Sequence, residues 1–114
     1  MRVVSAGLAF VVATVSSVAV AQTAPTVALV LKGHRFTPAA FSVPAGQKVR
    51  ITLTNQDAAT EEFDSHDLKV EQLVTPNGRA TFTIGPLKPG AYAFMGEFHP
   101  GTAQGRVTAV EAGR

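Results

Sequence analysis

Apolar and polar residues alternate with a period of two through most of this chain, and clusters of turn residues interrupt the alternation at regular intervals. A period of two puts every second side chain on the same face of an extended strand, whereas a helix needs apolar residues three and four apart. The clusters Pro44-Ala45-Gly46, Pro76-Asn77-Gly78 and Pro89-Gly90 join a fixed φ to a residue that tolerates positive φ, as strand reversals require. The pattern predicts an all-β Greek-key sandwich without helices or internal repeats.

The alternation also predicts where the strands lie. Six short strands, all expected to be antiparallel, are predicted at residues 26–32, 40–43, 48–55, 80–84, 90–95 and 105–111. Residues 56–71 are predicted to form a long connection. Five of the eight acidic residues of the chain lie between Asp57 and Asp67, where a solvated loop would not need them. The connection is therefore the segment most in need of a functional explanation.

The first 21 residues have the features of an export signal. Arg2 supplies a positive charge, residues 3–20 form an apolar run with interspersed Ser and Thr, and Ala19-Val20-Ala21 has the small-x-small form of a signal-peptidase site. A membrane anchor is the alternative, but no basic cluster flanks the run. We expect a signal peptide at residues 1–21, export to the bacterial periplasm, and a mature chain that begins at Gln22.

The mature chain, residues 22–114, is long enough for one compact core and too short for two. It contains no cysteine, which excludes disulfides and all thiolate chemistry. The formal charge of +2 becomes +1 without Arg2, and the basic residues are scattered singly. The sequence therefore gives no indication of a nucleic-acid partner or of binding to a membrane surface.

Nearly all potential metal ligands fall into two short clusters. They are Glu61, Glu62, Asp64 and His66 in the first cluster, and Met95, Glu97 and His99 in the second. Imidazole, carboxylate and thioether groups together suit copper, iron or manganese better than calcium, which prefers oxygen alone. One such residue is ordinarily just an exposed side chain. Two clusters in so short a chain indicate a metal site.

The faces on which these ligands lie can be predicted from alternation. Strict alternation puts Met95, Glu97 and His99 on one face. If Phe63 is in the core, the neighbouring side chains point outward and could form a second, exposed site; they are Glu62, Asp64 and His66. The remaining aromatic residues near the clusters are predicted to be core or a hydrophobic collar, as is Phe63 itself; they are Tyr92, Phe94 and Phe98.

Several segments resemble the cupredoxin superfamily, and together they cover essentially the whole mature chain. They are Phe36-Thr37-Pro38 and residues 41–49, 52–57, 90–94 and 105–107. The resemblance implies two Greek-key sheets that hold one copper ion at one end. In that family the copper lies between a His that follows an Asn at a strand end and a Cys-His-Met loop before the last strand.

The resemblance carries over only in part at the metal site. The family's Tyr-x-Phe-x-Cys strand falls on Tyr92, Phe94 and Gly96, so that glycine occupies the thiolate position and blue-copper chemistry is excluded. The His of the family's loop falls on His99. The axial Met would fall near Ala103 or Gln104, where the chain has no Met.

The first copper His of the family falls on a carboxylate in this chain. The position matches Glu61, or Glu62 if the loop is one residue longer. The family comparison points Gly96 inward, whereas strict alternation gives the ligand face to Met95, Glu97 and His99 and turns Gly96 away from it. These two expectations remain open alternatives. His34 falls in a loop that lies beside the metal end in cupredoxins, although the family has no ligand there.

A narrower resemblance covers the departures from the family pattern. Residues 61–65, 85–90, 96–99 and 102–105 look like the small cysteine-less cupredoxins encoded with bacterial iron permeases. This resemblance implies a copper or iron ion as cofactor, a role in iron uptake, and a membrane iron permease or another periplasmic metal-binding protein as partner. A site shared across a homodimer is a further alternative.

Three functions are consistent with these observations. The first is metal binding in the service of iron or copper transport. The second is a copper-dependent ferroxidase, which would need a second site for Fe(II) beside the copper. The third is a metal-free sandwich whose acidic residues form a docking face for another protein. Catalysis ranks below binding because a cupredoxin without a thiolate is poorly tuned for fast electron transfer.

Overall fold

A computed structural model describes residues 3, 5–16 and 24–112, which contain nine strands and no helix. The strands are β1 (Thr26–Lys32), β2 (Arg35–Thr37), β3 (Ala40–Pro44), β4 (Val49–Asn55), β5 (Glu61–Ser65), β6 (Val70–Val74), β7 (Arg79–Ile84), β8 (Gly90–Gly96) and β9 (Gln104–Val110). The prediction of an all-β sandwich in one domain is therefore confirmed.

The strands form two sheets packed face to face. The four-stranded sheet has the order β2-β1-β4-β7, and the five-stranded sheet has the order β3-β9-β8-β5-β6. The prediction that all neighbouring strands are antiparallel is wrong for two pairs, because β1 runs parallel to β4 and β3 runs parallel to β9. Both pairs arise because the chain crosses between the sheets before it returns to a neighbouring position.

The core consists of the inward-facing residues of both sheets. In β4 every second residue is buried, from Val49 through Ile51 and Leu53 to Asn55. The centre of the core is aromatic, with the Phe94 ring centroid 4.8 Å from that of Phe63. Burial of large apolar side chains is the main stabilising contribution in a domain of this size, which has no disulfide.

The prediction that residues 56–71 form a connection is wrong. Strand β5 and the start of β6 lie there and pair with each other in antiparallel register, from Glu61 opposite Val74 to Ser65 opposite Val70. The inward side chains of β5 are Glu61, Phe63 and Ser65, and only Phe63 is apolar. The period of two is present, but hydropathy does not reveal it because two of the three buried residues are polar. Strand β2 was also missed, because three residues are too few to show a period.

The described residues of the predicted signal peptide add no strand or helix. Residues 5–16 lie outside regular secondary structure. The predicted cleavage motif Ala19-Val20-Ala21 and the predicted first mature residue Gln22 lie outside the described residues, so the boundary at residue 21 stays a prediction. No helix of the described part of the chain is long and apolar enough to cross a membrane.

Candidate metal centre

Three potential ligands from distant parts of the chain meet at one end of the sandwich. His34 lies in the turn between β1 and β2, Glu61 begins β5, and His99 lies in the loop between β8 and β9. Each offers a ligand atom, and these atoms all lie within 4.8 Å of one another. All three were candidates from the sequence, and the fold brings them into one group, which we call the His-Glu-His cluster.

Glu61 is the buried member of the His-Glu-His cluster. Its side chain is only 1% exposed, and its Oε2 lies 2.5 Å from Nδ1 of His99. Its Oε1 accepts hydrogen bonds from the backbone N–H groups of Glu62, at 3.1 Å, and Phe98, at 2.8 Å. The family resemblance places either Glu61 or Glu62 at the position of the first copper His. Of these two residues, Glu61 is the one that faces inward. Within the described residues no Lys or Arg pairs with it, and the His99 imidazole is the side chain that contacts it.

Gly96 makes room for the Glu61 carboxylate. A Cβ atom at position 96 would lie 2.7 Å from Cδ of Glu61 and 2.7 Å from Cβ of Ala103, closer than real Cβ contacts. Ala103 is itself fully buried. The family resemblance places a thiolate at Gly96 and an axial Met near Ala103. Both positions carry minimal side chains in this chain, and the carboxylate of Glu61 fills the space beside them.

The loop after β8 turns His99 back toward the sandwich. Strand β8 ends at Gly96, which is buried, and the N–H of His99 donates to the carbonyl of Gly96 at 3.1 Å. The His99 carbonyl in turn accepts the N–H of Ala103 at 2.9 Å. The expectation from strict alternation that Met95, Glu97 and His99 share a face is therefore wrong for His99, because the strand ends before the alternation reaches it.

His34 packs against His99 with the two rings in a stack. The ring centroids are 3.6 Å apart and the ring planes differ by 12°. His34 has a φ of +56° and follows Gly33, whose φ is +60°, so two successive residues adopt the left-handed conformation. This tight turn is what brings the His34 ring over the end of the sandwich.

Asp57 contacts this turn and was not among the sequence candidates. Its two carboxylate oxygens accept the backbone N–H groups of Gly33, at 2.7 Å, and His34, at 2.9 Å. Its Oδ2 also lies 3.5 Å from Nδ1 of His34. The hydrogen bond from the His34 N–H is the largest cause that lowers the pKa of Asp57. The Gly33 N–H and the electrostatic effect of His34 and His99 lower this pKa further, whereas burial raises it.

Asp57 is itself anchored to the end of β4 through Asn55. The N–H of Asp57 donates to Oδ1 of Asn55 at 2.9 Å. The Asn55 side chain is buried, and its Nδ2 donates to the carbonyls of Ala59 and Thr75 at 2.8 and 3.1 Å. The Asn-x-Asp pattern that closes β4 is the sequence signal that could have revealed Asp57, because Asn and Asp commonly bond to nearby backbone groups in turns.

The donor set of the His-Glu-His cluster fits a first-row transition metal. Two imidazoles and one carboxylate are ligands for copper, iron and zinc, and the missing thiolate excludes a blue copper site. Nitrogen lone pairs lie in the plane of each imidazole, so an ion about 2.0–2.1 Å from a nitrogen of both rings would lie far out of at least one plane in the stack. Binding through both His34 and His99 therefore requires one ring to rotate.

A second group of carboxylates lies on the outer face of the five-stranded sheet. Glu62, Asp64 and Glu71 each offer an oxygen, and these oxygens lie within 4.8 Å of one another. Asp64 is paired directly with Glu71 in the β5–β6 register and with Met95 in the β5–β8 register. The prediction that Glu62 and Asp64 point outward from a buried Phe63 agrees with this geometry. Glu71 is the member that the sequence did not single out.

Glu97 adjoins this outer group of carboxylates. A side-chain hydrogen bond with Asp64 is the largest cause that raises the pKa of Glu97, and the negative charge of Asp64 is the second. Burial, Glu62 and Glu71 raise the same pKa to a smaller extent. Glu97, the residue that the sequence places next to Phe98 and His99, is thus turned toward the outer face and not toward the His-Glu-His cluster.

The two remaining sequence candidates lie outside both groups. Met95 is 40% exposed on the outer face of β8. His66 is exposed in the turn between β5 and β6 and lines a groove with Asp64, Lys69 and Glu71. Phe98, predicted to be core or a collar residue, is 50% exposed beside His99 and is not part of the core.

Comparison with known proteins gives one family and one curated relative. Residues 5–109 match the family of cupredoxin-like domains. An uncharacterized protein of Rickettsia prowazekii (strain Madrid E) is 43% identical over 79 residues, which are 69% of this chain and 63% of the relative. The match thus spans less than two thirds of the length of that relative.

Solved structures with a similar fold include two auracyanins and a domain of a copper pump. Auracyanin B gives a TM-score of 0.67 at 16% identity over 80% of this chain and 93% of its own. Auracyanin A, a "blue" copper protein from Chloroflexus aurantiacus, gives 0.67 at 17% identity over 77% and 100%. The metal-binding domain of the Cu(I)-exporting P-type ATPase CopA of Streptococcus pneumoniae D39, solved with Cu(I), gives 0.65 at 15% identity over 75% and 85%.

At these identities the structural likeness shows the fold alone, whereas the family match covers nearly the whole chain. The sandwich of two mixed sheets and the match over residues 5–109 together show that this chain belongs to the family of cupredoxin-like domains.

Proposed function

We propose that this protein is an exported metal-binding protein that holds one transition metal ion at the His-Glu-His cluster and serves iron or copper transport. The observation that carries the proposal is the buried Glu61 carboxylate, which lies between Gly96 and His99 with no Lys or Arg partner among the described residues. A buried carboxylate is costly unless it is paired, and metal coordination is one of the few arrangements that compensate for that burial.

Copper is the ion that we expect to bind most tightly. Cu(II) leads the general affinity order of divalent first-row metals for nitrogen and oxygen ligands. Auracyanin A and the domain of the pneumococcal exporter, which have a similar fold, are a copper protein and a copper complex. Bound copper would supply a Cu(II)/Cu(I) couple, and His34, Glu61 and His99 would hold it without the thiolate that gives blue copper its colour.

The role in iron uptake rests on the resemblance to cysteine-less cupredoxins encoded with iron permeases. It agrees with the export signal predicted at residues 1–21, which would carry the protein to the periplasm. Under this proposal the partner is a membrane iron permease or another periplasmic metal-binding protein. Iron remains the alternative cofactor, because the same imidazole and carboxylate donors also bind it.

Metal titration of the mature chain from Gln22 tests the proposal. We expect about one Cu(II) per chain, a pale or colourless complex, and weaker binding of Fe(II), Mn(II) and Zn(II). Glu61→Gln should weaken Cu(II) binding at least tenfold, which is about 1.4 kcal/mol. Glu62→Gln is the matched control, because the neighbouring carboxylate points to the outer face.

Three outcomes would count against metal binding at the His-Glu-His cluster. An intense absorption band near 600 nm would contradict the donor set, because no sulfur anion is present in the chain. Equal losses in Glu61→Gln and Glu62→Gln would move the site to the outer carboxylates. Absence of any stoichiometric binding would favour the metal-free docking module.

The ferroxidase alternative needs an Fe(II) site beside the copper. The observation that favours this alternative is the group of Glu62 and Asp64 on the outer face of β5 with Glu71 on the adjacent β6, because Glu61 lies on the inner face of β5. Oxidation would transfer four electrons from four Fe(II) ions to one O₂, with four protons, to give two water molecules. Copper-loaded protein should then accelerate O₂ consumption in Fe(II) solutions, and Asp64→Asn should abolish the acceleration while copper stays bound.

A further inference from the structure

Asp57 lies just outside the His-Glu-His cluster and contacts only one of its members, His34. The carboxylate uses both oxygens at once, one for the N–H of Gly33 and one for the N–H of His34, at 2.7 and 2.9 Å. Its own side chain is 14% exposed, and its Oδ2 lies 3.5 Å from Nδ1 of His34. No ligand of the cluster comes from Asp57, so these contacts act on the conformation and not on the ion directly.

We infer that Asp57 is a positioning residue that holds His34 in reach of Glu61 and His99 and leaves Nε2 of His34 as the nitrogen that binds the ion. This inference rests on the proposed metal-binding function and names the residue that completes the site. A carboxylate that orients a metal-binding histidine is a common arrangement, and its loss typically weakens metal affinity about 10–100-fold.

The turn gives the first reason why His34 needs such a partner. His34 and Gly33 both have positive φ, at +56° and +60°. A non-glycine residue in this region is held there only when its surroundings fix it. The paired hydrogen bonds from Asp57 fix two successive N–H groups of the turn, and Asn55 fixes Asp57 by accepting its N–H at 2.9 Å.

Exposure gives the second reason. The side chain of His34 is 41% exposed, whereas that of His99 is 30% exposed and is bonded to the buried Glu61. The His34 ring stacks on the His99 ring, and this stack must open when an ion binds both rings. A restraint that survives this opening has to come from outside the stack, and the backbone hydrogen bonds of Asp57 meet that requirement.

The charge of Asp57 also acts on the choice of nitrogen. A carboxylate near one ring nitrogen of a neutral imidazole favours the tautomer with the proton on that nitrogen. With Asp57 on the Nδ1 side, the lone pair is left on Nε2.

Asp57→Asn tests the inference in the mature chain, with Asp67→Asn as the matched control. An amide keeps one acceptor oxygen and removes the charge, so one of the two N–H bonds is lost. Asp67 also accepts a backbone N–H, from Ala93 at 3.0 Å, but has no contact with the cluster. We expect Cu(II) affinity to fall about 10–100-fold in Asp57→Asn and less than twofold in Asp67→Asn.

A spectroscopic readout separates positioning from a general loss of structure. The ¹⁵N shifts of the His34 ring in the apo protein should report the Nδ1–H tautomer in wild type and in Asp67→Asn, and a tautomer mixture in Asp57→Asn. Circular dichroism confirms that each variant is folded. If Asp57→Asn does not fold, Asp57→Ser, whose hydroxyl accepts one turn N–H, is measured in the same way.

The outcomes distinguish this inference from the proposed function. Wild-type affinity and an unchanged tautomer in Asp57→Asn would overturn the role of Asp57 while the metal site stands. Wild-type affinity in His34→Ala would remove His34 from the ligand set and overturn the inference. If wild type binds no ion, the proposed function fails and Asp57 positions no metal ligand; the ring shifts then report only whether it holds the turn.

Discussion

At the scale of single residues, the end of the sandwich that carries the His-Glu-His cluster differs from the family pattern, because the anionic side chain comes from a neighbouring strand. The position that resembles the copper thiolate is Gly96 on β8, and the anionic group there is supplied by Glu61 on β5. The exchange needs both changes together, because any Cβ at position 96 would overlap the carboxylate. A thiolate at position 96 and a carboxylate at position 61 are therefore alternatives for the same space.

The first prediction tests this close approach with a single methyl group. Gly96→Ala should destabilise the apo protein by about 1–3 kcal/mol, because overpacking a tight site forces side chains or backbone to move. It should also weaken metal binding, since Glu61 is the group that must move. Chemical denaturation and Cu(II) titration measure the two effects.

Gly101→Ala is the control for this experiment, since a Cβ there meets nothing within 4 Å and the residue lies in the same loop as His99. It should change stability by less than about 0.5 kcal/mol, as for most surface substitutions. Equal effects of the two substitutions would mean that loop stiffness, and not the space beside Glu61, decides the result.

A second residue-scale prediction concerns acid stability. The lowered pKa of Asp57 means that its charged form is favoured in the folded protein. Its contribution is complete above the unfolded pKa of about 3.9 and is lost as the pH falls through the lower folded pKa. Asp57→Asn should therefore reduce the free energy of unfolding by about 1.5–3 kcal/mol at pH 7. The difference from wild type should shrink below about pH 4, and a difference that is constant with pH would contradict it.

The sequence alone predicted which residues could bind a metal, but not which way their side chains point. Glu61 and Glu62 are adjacent identical side chains, and only the register of β5 decides which one is buried. His34 was recognisable as a residue near the metal end through the family resemblance. Its partner Asp57 belongs to an acidic run and to the Asn-x-Asp pattern that closes β4, but neither feature shows its bonds to His34, because these join residues from two different loops.

At the scale of elements, strand β5 shows why a polar strand escapes prediction. Its buried positions hold Glu61, Phe63 and Ser65, so that hydropathy gives one apolar signal where three would be needed. Each polar member has a partner from another element. Ser65 donates to the carbonyl of Ala93 at 2.6 Å and accepts the N–H of Leu68, and Glu61 accepts two N–H groups. These bonds make the burial tolerable, and two of them, from Ser65 to Ala93 and from Phe98 to Glu61, join residues too far apart in sequence for a local pattern to show.

The outer face of β5 and β6 supplies the element-scale prediction. Asp64 and Glu71 are directly opposed across the two strands, and like charges in that position destabilise a sheet by roughly 0.2–1 kcal/mol. Glu71→Gln should therefore stabilise the apo protein by that amount at low ionic strength. The gain should diminish in about 1 M salt, where the screening length falls to about 3 Å.

Thermal unfolding at low and high salt measures the effect of Glu71→Gln. Glu111→Gln is the control, because its carboxylate lies after β9, away from the outer group of carboxylates. A loss of stability in Glu71→Gln in metal-free buffer would show that the opposed carboxylates support each other, as they would if they share a proton.

At the scale of the whole molecule, the fold was more predictable than the site, because all six predicted strands agree with observed strands to within one residue at each end. Their large apolar residues recur with the period of the strand, and turn clusters separate them. The parallel pairs β1–β4 and β3–β9 could not be derived from alternation, since it fixes the face of a residue and not the neighbouring strand.

The core is organised around Phe94, which joins the two sheets. Its ring centroid lies 5.2 Å from that of Phe36 on β2 and 4.8 Å from that of Phe63 on β5, strands of opposite sheets. Gly105 leaves space for the same ring, since a Cβ there would overlap it. The end that carries the His-Glu-His cluster begins two residues farther along β8, at Gly96, so that the core and the candidate site share one strand.

The last prediction separates these two parts of β8. Phe94→Ala should lower the free energy of unfolding by about 3–5 kcal/mol, because it removes buried area and leaves a cavity between the sheets. His99→Ala should cost about 1–3 kcal/mol in the apo protein, more than a loop residue would, because Oε2 of the buried Glu61 loses its partner. The two substitutions should have the reverse order of effect on metal binding. Cu(II) affinity should fall at least tenfold in His99→Ala, whereas folded Phe94→Ala should still bind Cu(II). Denaturation of metal-free protein must be compared with titration at a temperature where both variants are folded, since bound metal would itself stabilise the native state. Unchanged affinity in His99→Ala would show that His99 serves only as a hydrogen-bond partner of Glu61, and the metal site would then have to be sought among the outer carboxylates.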